Sequence, residues 1–282
     1  MEVIRAKVLG FCMGVRRAVE TAENSVAENA GEKKIYTLGP LIHNPVVLSE
    51  LEKKGVTVLT EKTLSEAQPG STVIIRAHGT TPQVLAELEK NGHRILDATC
   101  PKVHLSQKRA AEWNARGFTI IIAGDRNHGE VVSISSYAGG NAVVIENSRE
   151  ADALKLPQKA VLIAQTTFSP VEFEKIKEIL KAKNPEIQIF NSICSATMER
   201  QNALSQLKDK TDGILVIGGK SSANTRRLYE RAAAICKNAA LIENAEEIPP
   251  EFFKLEKVGL TAGASTPDNI IEEVEELLLH NN

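Results

Sequence analysis

A strand-like run, a cysteine and a helical run recur three times along this chain at nearly even spacing. Cys12 and Cys100 stand 88 positions apart, Cys100 and Cys194 stand 94 apart, and 88 residues follow Cys194. The lead-ins are residues 3–8, 94–98 and 187–190, and the helical stretches that follow include 16–20, 107–111 and 199–203. Even spacing alone could be chance, but the text between the cysteines repeats as well.

After each helical stretch comes an apolar strand that breaks into a polar loop: 35–39 leading to His43, 119–124 leading to His128, and 214–219 leading to Ser222 and Asn224. A third set of strands, 56–59, 142–145 and 239–242, is followed each time by an acidic, helix-prone segment. A fourth set, 73–82, 161–170 and 258–267, ends in Thr81-Pro82, Ser169-Pro170 and Thr266-Pro267, the step that suits a helix's first turn. His78 and Thr166 each fall 66 residues after their cysteine, and Ser265 falls 71 after Cys194. Continuous apolar runs alternating with helical stretches read as buried parallel strands in βα units. The chain is therefore expected to be α/β. Three similar parallel-sheet domains, 1–99, 100–193 and 194–282, would stand in a pseudo-threefold arrangement around a central site. In open α/β sheets ligands sit beyond the carboxyl ends of the strands. Every residue singled out above falls at such an end.

Composition narrows the partners. The net charge is −2 and aromatic residues make up 4% of 282, so neither a basic field nor stacking rings favour nucleic acid. No apolar run reaches transmembrane length, and the start Met1-Glu2-Val3-Ile4-Arg5 lacks the plan of a secretory signal. A cytoplasmic protein without membrane insertion is expected, and there disulfides are disfavoured. Scattered cysteines are most often small buried hydrophobes. Cys236, in an Ala-Ala-Ala-Ile-Cys run outside the repeat plan, fits that reading.

The other three sit where a strand ends and a helix begins, a setting that favours a thiolate. Three converging thiolates suit a metal. Zinc is one occupant, although all-thiolate structural zinc normally takes four ligands, usually in close pairs. An iron–sulfur cubane held by three thiolates is the other, and it leaves one iron open to a substrate.

The motifs themselves are distinctive. They include Gly10-Phe11-Cys12-Met13-Gly14-Val15, Gly39-Pro40-Leu41-Ile42-His43-Asn44, Arg76-Ala77-His78-Gly79 and Asp97-Ala98-Thr99-Cys100-Pro101. Gln165-Thr166-Thr167, Ile193-Cys194-Ser195-Ala196-Thr197 and Thr261-Ala262-Gly263-Ala264-Ser265 complete the series. On these motifs, across essentially its whole length, the chain resembles the 4-hydroxy-3-methylbut-2-enyl diphosphate reductase family of the LytB type.

The resemblance implies a three-lobed α/β fold around one 4Fe–4S cluster per chain, held by Cys12, Cys100 and Cys194. It implies a reductive dehydroxylation that yields isopentenyl and dimethylallyl diphosphates, the last step of the non-mevalonate isoprenoid pathway. Ferredoxin or flavodoxin would supply the electrons. His43, His78, His128, Ser222, Ala223, Asn224 and Ser265 would surround the allylic diphosphate. Glu130 would supply protons, with His128 beside it and Thr166 or Thr167 relaying or orienting the hydroxyl; family usage puts Thr167 nearer the substrate. Two departures from the family stand out. Gly129 replaces a proline, which predicts a looser loop, and Ala223 replaces a serine, leaving only its backbone N–H to a phosphate.

Each histidine taken singly reads as a surface or core residue, and His93, His104 and His280 keep that structural reading. The acidic stretch 272–277 reads as the exposed face of a C-terminal helix. The rival assignments are quinolinate synthase, another three-lobed enzyme whose motifs differ, and a non-catalytic iron–sulfur sensor, which needs no phosphate-lining loops.

Overall fold

The computed structural model describes residues 1–29, 33–42 and 44–280, the Ala223 side chain excepted. The chain opens with β1 (Glu2–Arg5) and α1 (Met13–Glu28). It continues through β2 (Ile35–Leu38), α2 (Pro45–Lys53), β3 (Val56–Leu59), β4 (Thr72–Ile75), α3 (Pro82–Lys90) and β5 (Arg94–Asp97). A second passage holds α4 (Pro101–Ala115), β6 (Thr119–Ala123), α5 (Gly129–Ser136), β7 (Ala142–Ile145), α6 (Ser148–Ala153), β8 (Ala160–Ala164), α7 (Pro170–Lys183) and β9 (Gln188–Phe190). The third runs through α8 (Ser195–Ser205), β10 (Gly213–Ile217), α9 (Ala223–Ile235), β11 (Asn238–Ile242), β12 (Lys257–Ala262) and α10 (Asp268–His280).

Among the described residues the strands form three four-stranded parallel sheets of one strand order: β3-β2-β4-β5, β7-β6-β8-β9 and β11-β10-β12-β1. The central strands explain the continuous apolar runs. Every residue of β4, β8 and β10 is buried, because helices cover both faces of the sheet. In the third sheet Leu215 and Ile217 pack with Ile270, Ile271, Val274 and Leu278 of α10. Ile214 and Val216 turn the other way, onto Leu204 of α8 and Leu228 and Ala232 of α9. In the second sheet Leu162 meets Phe173, Ile176 and Leu180 of α7, while Val161 and Ile163 meet Ala110 of α4 and Val131 and Ile134 of α5. Fully burying one such side chain contributes about 1.5–3 kcal/mol. The fourth strand of each sheet, β1, β5 or β9, is an edge with no fully buried residue, and β1 and β5 are charged at both ends.

The strand β1 joins a sheet built mainly from the C-terminal third of the chain. It pairs in parallel with β12, Glu2 opposite Lys257 through Arg5 opposite Leu260. The run before each cysteine closes the preceding sheet, and for Cys12 that sheet comes from the C-terminal third of the chain. By compactness the chain divides into two units: residues 1–19, 40–55 and 195–282, and residues 20–39 and 56–194.

The second unit contains two sheets, joined by a buried polar network. Gln107 Nε2 donates to Ser133 Oγ at 2.7 Å, and Ser133 Oγ donates to the Thr80 carbonyl at 3.1 Å. Gly79, at φ +73°, lies against it; a Cβ there would stand 2.3 Å from Gln107 Nε2. A satisfied network of this kind rigidifies the elements that carry it, here α4, α5 and the loop after β4.

Caps set the helix starts. Thr81 and Ser169 accept from the backbone of the first turn of α3 and α7, each with proline next. α10 begins one residue after Pro267, and most of 272–277 is exposed on it. No helix among the described residues is long and apolar enough to cross a membrane.

Candidate functional site

The three cysteines share one backbone contact. Cys12 N donates to the Ala264 carbonyl at 3.2 Å, Cys100 N to the Ala77 carbonyl at 3.0 Å, and Cys194 N to the Thr166 carbonyl at 2.7 Å. In each case the acceptor lies beyond the end of the sheet's third strand, and the next residue is polar: Ser265, His78 and Thr167. The geometry therefore matches Thr167, not Thr166, to His78 and Ser265. Counting 66 residues from the cysteine misses this by one position, because β4 ends 63 residues after Cys12 and β8 ends 64 after Cys100. None of the cysteines is in a disulfide and each is partly exposed. Among the described residues no three His, Cys, Asp or Glu side chains form a group that could hold a single ion.

In the second unit Glu130 occupies the first turn of α5 and is 1% exposed. Its carboxylate accepts from Thr166 N at 2.6 Å and from Thr166 Oγ1 at 2.7 Å. Burial raises its pKa to about 7; the two Thr166 bonds oppose that shift and Asp125 adds to it. His128 caps the same helix, its Nδ1 accepting from Glu130 N at 3.2 Å, which leaves Nε2 to carry the ring proton in the neutral form. The His78 ring meets the His128 ring edge-on at 5.0 Å between centroids. Gln165, fully buried, accepts from Asp125 N at 2.8 Å and donates Nε2 to Thr167 Oγ1 at 3.0 Å. The two threonines are thus divided: Thr166 is buried on the carboxylate, while Thr167 is partly exposed and held from behind by an amide.

Gly129 stands where the loop meets a helix. It is the first residue of α5, and a Cβ there would come 2.6 Å from Arg76 Nη2. A Cβ at Gly39 would come 2.9 Å from Nη1 of the same guanidinium. The missing side chains make room for Arg76 between two loops, and burial lowers its pKa.

In the first unit Asn44 and Ser222 cap α2 and α9 in corresponding loops. Asn44 Oδ1 accepts from Val46 N and Val47 N, and its Nδ2 donates to the Ser265 carbonyl at 2.9 Å. Ser222 Oγ accepts from Thr225 N at 3.4 Å. Asn224 Nδ2 and Thr225 Oγ1 are buried with no hydrogen-bond partner. An orphaned amide donor beside a helix N-terminus suits an anion. Ala223 is the first residue of α9, so its backbone N–H belongs to that same first turn. His43 lies outside the described residues. Cys236 ends α9, partly buried, with Sγ 3.6 Å from the Asp212 and Asn238 carbonyls.

Asn44, Gln165 and Arg200 were not among the expected site residues. The Asn44-Pro45 step was a readable capping signal. Gln165 lies inside the Gln165-Thr166-Thr167 motif, but nothing in the sequence distinguishes an amide that holds a neighbouring threonine from a core one.

Parallel sheets with a cysteine amide bonded next to His78, Thr167 or Ser265 beyond their strand ends define an α/β protein whose candidate site lies at that edge. The LytB protein family profile matches residues 3–279, and the chain belongs to that family. The 4-hydroxy-3-methylbut-2-enyl diphosphate reductase of Treponema denticola is 49% identical over 99% of both chains. A solved structure of (E)-4-hydroxy-3-methyl-but-2-enyl diphosphate reductase, the terminal enzyme of the non-mevalonate pathway, is 38% identical over 99% of both chains, with a TM-score of 0.77. The E-1-hydroxy-2-methyl-but-2-enyl-4-diphosphate reductase of Plasmodium falciparum is 30% identical over 98% of this chain and 87% of its own, with a TM-score of 0.88. This membership sets quinolinate synthase aside.

The donor set fits the family's iron–sulfur group: three partly exposed thiols outside any disulfide, at corresponding junctions, each bonded through its amide next to a polar residue. Cys12 belongs to one compact unit, Cys100 and Cys194 to the other.

Proposed function

We propose that this chain reductively removes the hydroxyl of 4-hydroxy-3-methylbut-2-enyl diphosphate, giving isopentenyl and dimethylallyl diphosphates. Cys12, Cys100 and Cys194 would hold one 4Fe–4S cluster. The observation that carries the reading is the repeated bond from a cysteine amide to the carbonyl before His78, Thr167 or Ser265. It supports a reading in which each ligand cysteine is tied to the segment that carries one substrate donor.

The reaction breaks one C–O bond, takes in two electrons and two protons, and releases water. When bound, the cluster would supply the two electrons, received from ferredoxin or flavodoxin, and Lewis-acid chemistry at the substrate hydroxyl. The chain's own residues do the rest. Thr167, braced by Gln165, orients the substrate hydroxyl. Glu130 holds a proton near neutral pH and passes it through the Thr166 hydroxyl to the departing oxygen; reprotonated from water, it delivers the second proton to the allyl carbon. His43, His78, His128, Ser222, Asn224, Ser265 and the Ala223 backbone N–H receive the diphosphate, and the orphaned Asn224 amide gains its missing acceptor there. The protein works in the cytoplasm, away from membrane and nucleic acid.

The test is turnover by anaerobically reconstituted protein with a reduced low-potential dye. Both isomeric diphosphates should form, with the hydroxyl oxygen recovered as water. Protein carrying its full iron and sulfide but giving neither product would sink the proposal.

A further inference from the structure

We propose that Arg200 is a positioning residue for Cys12, an inference that rests on the cluster reading above. Arg200 lies in the middle of α8 and is 3% exposed. A guanidinium is rarely buried unless its donors are taken up. Here Nη1 donates to the Ala196 carbonyl at 2.8 Å and Nη2 to the Gly10 carbonyl at 2.5 Å. Ala196 is in the first turn of α8 itself. Gly10 is 190 residues away in sequence and two before Cys12.

The Gly10 loop is clamped on its other side as well. At φ +75° a Cβ on Gly10 would stand 3.0 Å from Ile271 Cδ1 and 3.3 Å from the Thr266 carbonyl. The loop therefore runs between the start of α10 and the Arg200 guanidinium. Cys12 follows directly, its N–H on Ala264 and its carbonyl opening α1 through Arg16 N at 2.9 Å. With both ends of the segment fixed, the Cys12 thiol is set before any iron arrives. The planar fork serves two carbonyls in different directions at once, which a lysine ammonium on a flexible stem does less well.

The test uses the full chain with Arg200→Met and Arg200→Lys. In reduced, metal-free protein, alkylation by iodoacetamide is timed at each cysteine by peptide mass spectrometry. Losing a charge-assisted hydrogen bond should raise the Cys12 rate roughly tenfold in Arg200→Met. Cys100, Cys194 and Cys236 should stay within about twofold, and Arg200→Lys should fall between. In reconstituted protein, cluster loss to an iron chelator should quicken in the same order. An unchanged Cys12 rate in both variants overturns the proposal. So does an equal rise at all four cysteines, or loss of cooperative unfolding in both variants, since either makes Arg200 a general stability residue. If wild-type protein takes up no cluster while the Cys12 rate still responds, the cluster reading fails and the positioning role stands.

Discussion

Replacing Cys12, Cys100 or Cys194 with serine, one at a time, is expected to remove the brown iron–sulfur absorption and all measurable turnover, whereas Cys236→Ser keeps both. The three share a structural address that Cys236 lacks. Each follows the edge strand of a sheet, opens a helix, and donates its amide to a strand-end carbonyl. Serine preserves that backbone contact and nearly the same volume, so the loss reports ligand chemistry rather than folding. A hydroxyl is a hard, weakly acidic ligand where the site calls for a soft thiolate. Cys236 instead ends a helix, with its sulfur against two carbonyls. Iron and sulfide content with absorbance measures the effect, and a Cys236→Ser protein that comes out colourless would overturn the assignment.

Glu130→Gln should lower turnover by about 10²–10⁴-fold while substrate affinity changes far less. Glutamine keeps the size and can still meet Thr166, but it carries no transferable proton. The raised pKa places the wild-type carboxyl where a general acid near neutral pH is most effective. Wild-type turnover should accordingly decline as pH rises through about 7 and the acid form disappears. Stability carries the same signature. Between about 4.5, the ordinary value, and about 7 the folded chain keeps a proton that the unfolded chain releases. Stability from this group is therefore full below about 4.5, falls as pH rises, and levels off above about 7. The shift corresponds to roughly 3 kcal/mol. Denaturant unfolding of metal-free protein at several pH values should show this fall in wild type and lack it in Glu130→Gln. Near wild-type turnover in the variant would move proton delivery to Thr167, His128 or the diphosphate.

The sequence made the sheets legible because their central strands are buried on both faces, so runs such as 161–164 and 214–217 are apolar without interruption. It made the site legible because the same residue kinds return at strand ends. It was less informative about pairing. The half-exposed run 2–5 says nothing of its partner, and only the structure ties it to 257–260. Thr166 and Thr167 could not be ordered by counting, since a one-residue difference in the connecting segments shifts the count without shifting the hydrogen bond. Arg200 was illegible for another reason. The α8 segment is polar nearly all round, and nothing in such text shows which charged residue turns inward to a carbonyl 190 positions away.

The central claim is three protein thiolates around a four-iron cluster with one iron left to the substrate. Mössbauer spectra of protein reconstituted anaerobically with iron-57, taken before and after the diphosphate is added, test it most directly. With three cysteine ligands, about one quarter of the iron should give a separate signal that shifts when substrate binds. A spectrum in which all the iron is equivalent and unmoved by substrate would contradict it.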